Sequence, residues 1–314
     1  MAKKEQSGPE FSVVIACYFE EKSIEEFYQR LSKTMESVNR SYEIIFTNDG
    51  STDRTWEKLK TIFSQNPNVS TVINFYRNYG QAAAMLAGYR EATGENIVFL
   101  DSDLQLDPEE FPLLLDAFDQ DMDIATGYRT VRKDSLFRRL PSLVANTISR
   151  KVTGKQLKDL GCTFKIIRGD LLRAFEAGPF KPWSTLHVIR HASRIAEVPV
   201  SHHPRKHGKS GYTFRKLFKT NMDIIVQLSQ SPFQILSFLC IIFAAFFSLR
   251  VIFSWAFPNF AFLEEITTGL LLNAITVFAF VIVGVLCVIG ELVIRNFVNL
   301  NRDPLYIIRE IHKQ

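Results

Sequence analysis

The chain has 314 residues, of which 46% are hydrophobic and 22% charged, with a formal net charge of +4. This length allows one large core or two modest domains, and so mild a charge leads us to expect no nucleic acid among the partners. The four cysteines have no paired spacing, which excludes a disulfide framework and predicts reduced thiols. The N-terminal MAKKEQSGPE has no apolar core or cleavage site of a signal peptide, so we expect a disordered segment over residues 1–10 and a cytosolic main domain.

From residue 11 onward, short β-rich segments alternate with amphipathic helical windows. The predicted strands are FSVVIACY, YEIIFTND, STVINFY, NIVFLDSD and DIATGYR, and the predicted helices lie near residues 23–37, 54–64 and 81–92. This alternation is typical of βαβ units, in which helices cover both faces of a mostly parallel sheet. We therefore predict a Rossmann-like α/β domain over residues 11–212.

Beyond Arg129 the pattern becomes less regular. A basic helical segment over 135–152 precedes TFKIIRGD, which predicts a strand entering a helix, and IAEVPVSHHPRKHGKSGYT, which predicts a strand followed by a polar loop. Residues 213–231 then place apolar side chains at helical spacing, with Arg215 and Lys216 on the opposite side. This spacing predicts an interfacial amphipathic helix at a membrane surface, and a helix that packs against the domain is the alternative.

Two long apolar runs, about 233–257 and 266–289, lie within residues 232–290. Each is long enough to cross a hydrocarbon layer of about 30 Å, so we predict two transmembrane helices, with two buried core helices as the alternative. The loop between them contains Glu264 and Glu265 but no Lys or Arg, whereas basic residues flank the pair. The positive-inside rule then places the main domain, both termini and a tail over 291–314 in the cytosol, in an integral protein of the inner or plasma membrane.

Acidic side chains follow several of the predicted strands. Glu20 comes after the first strand, Asp49 after the second, and Asp101 and Asp103 after the fourth. Ligands of open α/β sheets bind at the carboxyl ends of the strands, so we expect these carboxylates to share a site. Neither GxGxxG nor GxxxxGK(S/T) occurs, which argues against a dinucleotide fingerprint or a P-loop. A nucleotide at this edge would be held through carboxylates and a metal ion.

Asp101 and Asp103 are two residues apart, so in an extended segment both side chains project to the same side. Two carboxylates this close repel each other unless a cation lies between them. Mg²⁺ and Mn²⁺ prefer oxygen ligands, and Mg²⁺ usually completes its coordination shell with water and substrate phosphates. The segment therefore predicts a divalent metal site that holds a nucleotide diphosphate, with Gln105 as a further oxygen donor.

Seven segments occur in this order along the chain: VVIACYFEE, NDGSTD, NFYRNYGQAAAMLAG, LDSDLQLDPEE, GYRTVRKDSLFRR, TGKQLKDLGC and RKHGKSGYTFRKL, followed by the two apolar runs. In this order they resemble the motifs of family 2 glycosyltransferases with the GT-A fold, and among them the polyprenyl-phosphate glycosyltransferases. That group includes dolichyl-phosphate mannose synthases and the undecaprenyl-phosphate glucosyl- and formamido-arabinosyl-transferases. The resemblance implies an inverting enzyme that moves one sugar from a nucleotide-sugar, with UDP-sugar favoured over GDP-mannose, to undecaprenyl or dolichyl phosphate at the cytosolic membrane face.

Carried over by position, the resemblance also assigns roles to individual residues. Glu20 and Asp49 are expected to contact the nucleoside, and Asp101 to contact the nucleotide and the metal. Asp103 and Gln105 are expected to bind the metal.

Three positions near this site depart from the family pattern. Ala16 and Phe19 stand where the family usually has Pro and Asn, and Asn48 stands where it usually has Asp. Because these residues flank the expected nucleotide pocket, the departures bear on which base is bound.

Basic residues between the metal motif and the apolar runs are candidates for binding the acceptor. The candidates are Arg129, Arg132, Arg205 and Lys209, and the resemblance places Arg129, Arg205 and Ser210 near a lipid phosphate. Guanidinium groups suit phosphate oxygens. A phosphate monoester is mostly ionised at neutral pH, so it can attack the anomeric carbon without a strong general base, and catalysis rests on positioning and charge stabilisation.

Asp159, in KDLGC, is the candidate for a polar group that orients the acceptor. The predicted catalytic set is therefore Asp101, Asp103, Arg129 and Asp159. The histidines at 187 and 191 and at 202, 203 and 207 lack the carboxylate that accompanies such spacing in catalytic zinc sites, so we assign them packing or loop roles.

Two other functions remain open at this point. A processive polysaccharide synthase would share the fold and metal site, but such enzymes carry a QxxRW segment, and no Arg-Trp pair occurs here. A catalytically inactive membrane scaffold would not need Asp101, Asp103 and Gln105. Gly284 in the second apolar run and Gly290 just after it are compatible with a homo-oligomer, although their spacing is not GxxxG.

Overall fold

The computed structural model of the chain describes residues 8–130, 154–155, 157–159, 161–174, 185–204 and 304–314, with separate positions between 275 and 296. The chain divides into two compact units, the first made of Met1–Asn221 and Pro304–Gln314 and the second of Met222–Asp303. All the strands and helices bounded below belong to the first unit.

The described strands of the first unit form one mixed sheet. They are β1 Phe11–Cys17, β2 Tyr42–Asn48, β3 Val69–Phe75, β4 Asn96–Asp101, β5 Ile124–Arg129, β6 Lys165–Arg168, β7 Ile195–Val200 and β8 Ile308–Lys313. Their order across the sheet is β7-β5-β6-β4-β1-β2-β3-β8. β6 is antiparallel to both of its neighbours and β8 is antiparallel to β3, whereas the other pairings are parallel. The mostly parallel sheet predicted from the sequence is confirmed.

Helices cover both faces of this sheet, as predicted. They are α1 Ile24–Ser37, α2 Thr55–Gln65, α3 Gln81–Glu91, α4 Phe111–Phe118, α5 Gly169–Arg173 and α6 Thr185–His191. On one face, α1, α2 and α4 share an apolar core with Val13 and Ile15 of β1 and Phe46 of β2. On the other face α3 packs so closely that a Cβ added to Gly88 would lie 2.7 Å from the Val14 side chain.

β1, β2 and β4 end together at one edge of the sheet. Ala16 pairs with Thr47 of β2 and with Asp101 of β4, and Cys17 pairs with Asn48. The loops that carry the predicted nucleotide and metal residues therefore leave the sheet side by side. Cys17 is a buried free thiol, in agreement with the predicted reduced state, and burial raises its pKa.

β8 lies beside β3 at the outer edge of the sheet and comes from the last part of the chain. Just before it, the ring of Tyr306 stacks on Phe75 with centroids 4.9 Å apart, and Trp56 donates a 3.1 Å hydrogen bond from its indole nitrogen to Glu310. The predicted tail over 291–314 contained no strand, and in this respect the structure corrects it. IREIHK is short and rich in charge, so its pairing with β3, rather than its own pattern, makes it a strand.

Several predicted segments lie outside the described residues, namely 135–152, the interfacial helix over 213–231 and the apolar run over 233–257. Of the run over 266–289 only separate positions are described, and these are helical. Exposed apolar side chains among them are Ile275, Ile282, Leu286 and Ile289. None of the helices formed by the described residues is both long enough and apolar enough to cross a membrane.

Candidate active site

The metal motif predicted from the sequence forms a tight turn at the end of β4. Asp101 is the last residue of the strand, and the chain then bends through residues 102–106. Leu104 has a left-handed φ of 57° and a buried side chain, which anchors the turn in the core. Asp103 is buried, and one of its oxygens accepts a 3.1 Å hydrogen bond from the backbone N–H of Gln105. Both predicted metal-binding carboxylates thus belong to one short segment at the carboxyl edge of the sheet.

The carboxylate of Asp101 is contacted from two neighbouring elements. Gln81, the first residue of α3, donates a 2.5 Å hydrogen bond to its Oδ1, and the Thr163 side chain, just before β6, also hydrogen-bonds to it. Burial and the negative charge of Asp103 raise the pKa of Asp101 to about 6. Ionising Asp101 is therefore costly in the metal-free protein, and a divalent cation next to both carboxylates would offset that cost.

This donor set fits a hard divalent cation that is bound together with a phosphate. Among the residues that the structure describes, no group of three or more His, Cys, Asp or Glu side chains is placed to hold a metal. Two carboxylates are nevertheless sufficient for Mg²⁺, which usually takes one or two and completes its octahedron with water and substrate phosphates. The Gln105 amide nitrogen donates to the backbone carbonyl of His203 at 3.3 Å, so the predicted third donor is also held in place.

Asp49 holds the loop between β3 and α3. Its two oxygens accept hydrogen bonds from the Asn78 side chain at 2.8 Å and from the backbone N–H groups of Tyr79 at 2.7 Å and Gly80 at 2.9 Å. Gly50 follows with a φ of +66°, and a Cβ there would lie 2.3 Å from the backbone of Arg77, so only glycine allows the two loops to pack. The carboxylate thus organises one wall of the expected nucleotide pocket, and its direct contact with a nucleoside stays a prediction.

Glu20 is likewise buried and serves as an anchor for the start of α1. Its backbone carbonyl accepts hydrogen bonds from the N–H groups of Ser23 and Ile24, and its carboxylate accepts one from the Ser23 hydroxyl. The backbone N–H of Glu20 donates to Thr55 at 2.9 Å. A contact between Glu20 and the nucleoside also stays a prediction.

Arg129 and Asp159, two residues that the sequence analysis assigned to the acceptor, form an ion pair. Arg129 donates from Nε at 2.6 Å and from Nη2 at 3.0 Å to the two carboxylate oxygens of Asp159, which is 3% exposed. Asp159 also accepts a 3.2 Å hydrogen bond from the backbone of Gly161. Such a bidentate contact fixes the plane of the guanidinium group. The other predicted acceptor residues lie outside the described part of the chain: Arg132, Arg205, Lys209 and Ser210.

Lys165, the first residue of β6, was not singled out by the sequence analysis. Its side chain is buried and interacts electrostatically with Asp159 and Asp101, and its ammonium donates to the backbone carbonyl of Cys162. Burial lowers the pKa of Lys165, although the negative charges of Asp159 and Asp101 oppose this effect. A buried ammonium requires nearby carboxylates, and here they come from both predicted motifs. The available signal was a lysine that lies between Phe164 and Ile166 in a predicted strand.

The segment after β7 is tied to the turn that follows Asp103. The backbone N–H of His203 donates to the Gln105 carbonyl at 2.9 Å, and its ring Nε2 lies 2.6 Å from an oxygen of Asp107. The backbone N–H of Ser201 donates to the Glu110 carboxylate at 3.0 Å. These contacts give His203 a loop-fixing role, in keeping with the role that the sequence predicts for it.

The sheet and the carboxylates at its edge agree with a match over residues 12–175 to the family described as "Glycosyl transferase family 2". The chain belongs to this family of glycosyltransferases. It is 32% identical to the undecaprenyl-phosphate 4-deoxy-4-formamido-L-arabinose transferase of Edwardsiella ictaluri over 313 residues, which cover 96% of this chain and 93% of that protein. A transferase of the same name from Salmonella choleraesuis is 35% identical over 246 residues, or 77% of this chain and 74% of that protein.

Solved structures support the GT-A fold. Glucosyl-3-phosphoglycerate synthase from Mycobacterium tuberculosis, in complex with Mn²⁺, UDP and phosphoglyceric acid, superposes with a TM-score of 0.55 at 18% identity, covering 73% of this chain and 81% of that one. The complex of the same enzyme with Mn²⁺, UDP-glucose and phosphoglyceric acid gives a TM-score of 0.53 at 18% identity, covering 71% and 81%. At this identity the likeness concerns the fold alone.

Proposed function

We propose that this glycosyltransferase moves a single sugar from a nucleotide-sugar to undecaprenyl phosphate at the cytosolic face of a membrane, with inversion at the anomeric carbon. The acceptor is supported by relatives that are named for undecaprenyl phosphate and resemble the chain over most of its length. The observation that carries the donor half is the desolvated pair of carboxylates at Asp101 and Asp103. A UDP-sugar is the favoured donor, and GDP-mannose is the alternative.

On the donor side, Asp101 and Asp103, with Gln105, would hold Mg²⁺ or Mn²⁺ against the donor diphosphate. Such a cation, when bound, stabilises the negative charge that develops on the departing nucleoside diphosphate. Gln81 and Thr163 fix the Asp101 carboxylate in advance by hydrogen bonds, so little reorganisation is needed on binding.

On the acceptor side, Asp159 holds the guanidinium group of Arg129 in one orientation. A phosphate monoester carries between one and two negative charges at neutral pH, and an arginine fixed in this way is suited to orient it. We assign the remaining contacts with the lipid phosphate to Arg132, Arg205, Lys209 and Ser210.

The reaction is a direct displacement. A phosphate oxygen of the acceptor forms a bond to the anomeric carbon while the bond from that carbon to the diphosphate breaks on the opposite face, which inverts the configuration. Because the acceptor is already ionised, no proton has to be removed from the nucleophile. The contribution of the protein is then to position the two substrates and to balance their charges.

A lipid acceptor requires the enzyme to work at a membrane. We propose an interfacial helix over 213–231 and two transmembrane helices, about 233–257 and 266–289, with the catalytic domain in the cytosol. β3 and β8 pair in one sheet, so any crossings between them must be even in number, which supports two spans. We also propose that copies of the protein associate with each other through the surface around Gly284 and Gly290.

The test is sugar transfer by the full-length protein in proteoliposomes. Radiolabelled UDP- and GDP-sugars are offered with undecaprenyl or dolichyl phosphate, in Mg²⁺, Mn²⁺ or EDTA. We expect label in the lipid phase that is lost in EDTA and in Asp103→Ala, and retained in Asp116→Ala, a matched change at an exposed carboxylate of α4. Label in polymer would indicate a processive synthase instead. An absence of transfer from every donor would contradict the proposal and favour an inactive scaffold.

A further inference from the structure

Tyr306, which lies just before β8, contacts both the end of β3 and the end of α3. Its ring stacks on Phe75, with centroids 4.9 Å apart and an interplanar angle of 13°. Its hydroxyl accepts a 2.9 Å hydrogen bond from Nη1 of Arg90, in the last turn of α3. The backbone N–H of Tyr76 donates to the Ile307 carbonyl at 3.2 Å, so the two segments stay paired beyond the ends of their strands.

The ring of Phe75 in turn contacts the loop between β3 and α3, residues 76–80. The ring of Tyr79 lies edge-on to Phe75 with centroids 5.6 Å apart, and the guanidinium group of Arg77 lies 4.4 Å from the centre of the Tyr79 ring. The backbone N–H of Tyr79 donates to the carboxylate of Asp49 at 2.7 Å. Three aromatic rings in series therefore connect the segment before β8 to the carboxylate that organises one wall of the expected nucleotide pocket.

The loop between β3 and α3 lies mostly at the surface of the protein. Tyr76 is 63% exposed, and Arg77 and Asn78 are also exposed. Exposed loops open locally at a low free-energy cost, and a ligand that must order such a loop binds more weakly. Gln81, directly after the loop, donates to Asp101, so the position of the loop bears on both sides of the donor site. Contacts that hold this loop in advance should therefore strengthen donor binding.

We propose that Tyr306 is a positioning residue for the nucleotide-sugar, because it holds the loop over residues 76–80 in the conformation that binds the donor. Tyr306 acts through the other two aromatic rings of the series. Attachment of β8 to the sheet does not by itself require this arrangement, since Ile308 and Ile311 already pack on the same apolar cluster. This inference rests on the proposed function and deepens it, because it makes donor affinity depend on a segment that follows both apolar runs in the chain.

The test compares Tyr306→Leu and Tyr306→Phe with wild type in the full-length protein in detergent. Binding of UDP and GDP, each with Mn²⁺, is measured by isothermal titration calorimetry, and amide hydrogen exchange over residues 76–83 is followed by mass spectrometry. Leucine keeps an apolar side chain but removes the aromatic stack, so the Kd of the preferred nucleotide should rise about fivefold. The amides of Tyr79 and Gly80, which donate to Asp49, should exchange faster. The KM for undecaprenyl phosphate and kcat should stay unchanged, and Tyr306→Phe, which keeps the stack, should restore most of the affinity.

Ile311→Ala is the matched control, because Ile311 packs on the same cluster but pairs with Ile73, within β3 rather than at the loop. It should lower the thermal unfolding temperature and leave nucleotide affinity unchanged. Unchanged affinity in Tyr306→Leu, with or without faster exchange, would overturn the positioning role while leaving the proposed function intact. An equal loss of affinity in Ile311→Ala, or a rise confined to the KM for undecaprenyl phosphate, would also overturn it. Failure of wild type to bind either nucleotide would contradict the proposed function itself and remove the positioning role with it.

Discussion

Replacing Asp101 with Asn should stabilise the metal-free protein while abolishing its activity. The carboxylate of Asp101 is desolvated and lies near Asp103, which raises its pKa from the usual 3.8 to about 6. An amide at this position keeps an oxygen that can accept the hydrogen bond from Gln81, but it carries no charge that burial or Asp103 can disfavour. Opposite effects on stability and on transfer are expected because, in the metal-free protein, desolvation and the charge of Asp103 outweigh the attraction between Asp101 and Lys165.

The size and pH dependence of this effect follow from the two pKa values. In the unfolded chain Asp101 ionises near pH 3.8, whereas in the folded protein it holds its proton until about pH 6. As the pH rises between these values the unfolded state releases its proton first, so the metal-free wild type loses stability across this window. The loss is complete above pH 6 and amounts to about 3 kcal/mol, from ~1.4 kcal/mol for each pH unit. The stability of Asp101→Asn should not fall over this pH range, because its amide does not ionise.

The assay is urea denaturation of the full-length protein in detergent with EDTA, followed by tryptophan fluorescence between pH 4 and pH 8. Near pH 4 the two proteins should unfold at similar urea concentrations, and above pH 6 the variant should require more urea. Mn²⁺ with UDP should stabilise wild type and leave Asp101→Asn unaffected. Asp116→Asn, an exposed change in α4, should follow wild type throughout. Parallel curves for wild type and Asp101→Asn across the pH range would refute the argument.

Three further changes probe the rest of the site and its frame. Burial lowers the pKa of Lys165, so its charge disfavours the folded state; Lys165→Met should therefore unfold at the same or a higher urea concentration than wild type at neutral pH, and a lower urea midpoint would contradict this argument. Asp159→Asn should raise the KM for undecaprenyl phosphate roughly tenfold and leave the KM for the donor unchanged, because the charged contacts that orient Arg129 are weakened. Deleting residues 304–314 removes β8 and should lower stability by roughly 3 kcal/mol or more, measured by thermal unfolding, whereas an unchanged midpoint would show that β8 contributes little.

The central strands and the metal motif could be predicted from the sequence because both depend on a local pattern of residues. The apolar runs of β1, β2 and β4, each followed by an acidic residue, are what a buried parallel strand and its carboxyl end look like. The spacing of Asp101 and Asp103 predicted an extended segment with both side chains on the same side; the structure corrects this, because the strand ends at Asp101 and Asp103 lies in the turn that follows. Helices on both faces followed from the alternation of strands and helical windows.

Features that depend on partners distant in the chain were not predictable in this way. β8 is defined by β3, and the burial of Lys165 depends on strands that arrive from elsewhere in the chain. Asp49 and Glu20 were found from their positions, but the sequence could not show that Asn78, Tyr79 and Ser23 occupy their oxygens. A carboxylate after a strand looks the same in a sequence whether it binds a ligand or holds a loop.

The edge position of β8 also bears on how the chain is made. Roughly 230 residues separate the end of β3 from the start of β8, and at about 5–20 residues per second the ribosome needs roughly 10 to 50 s to synthesise them. Throughout that interval β3 has only β2 as a partner, and its outer row of backbone hydrogen-bonding groups is open to pairing with other nascent chains. The sheet can therefore be completed only after all of the intervening residues have been synthesised.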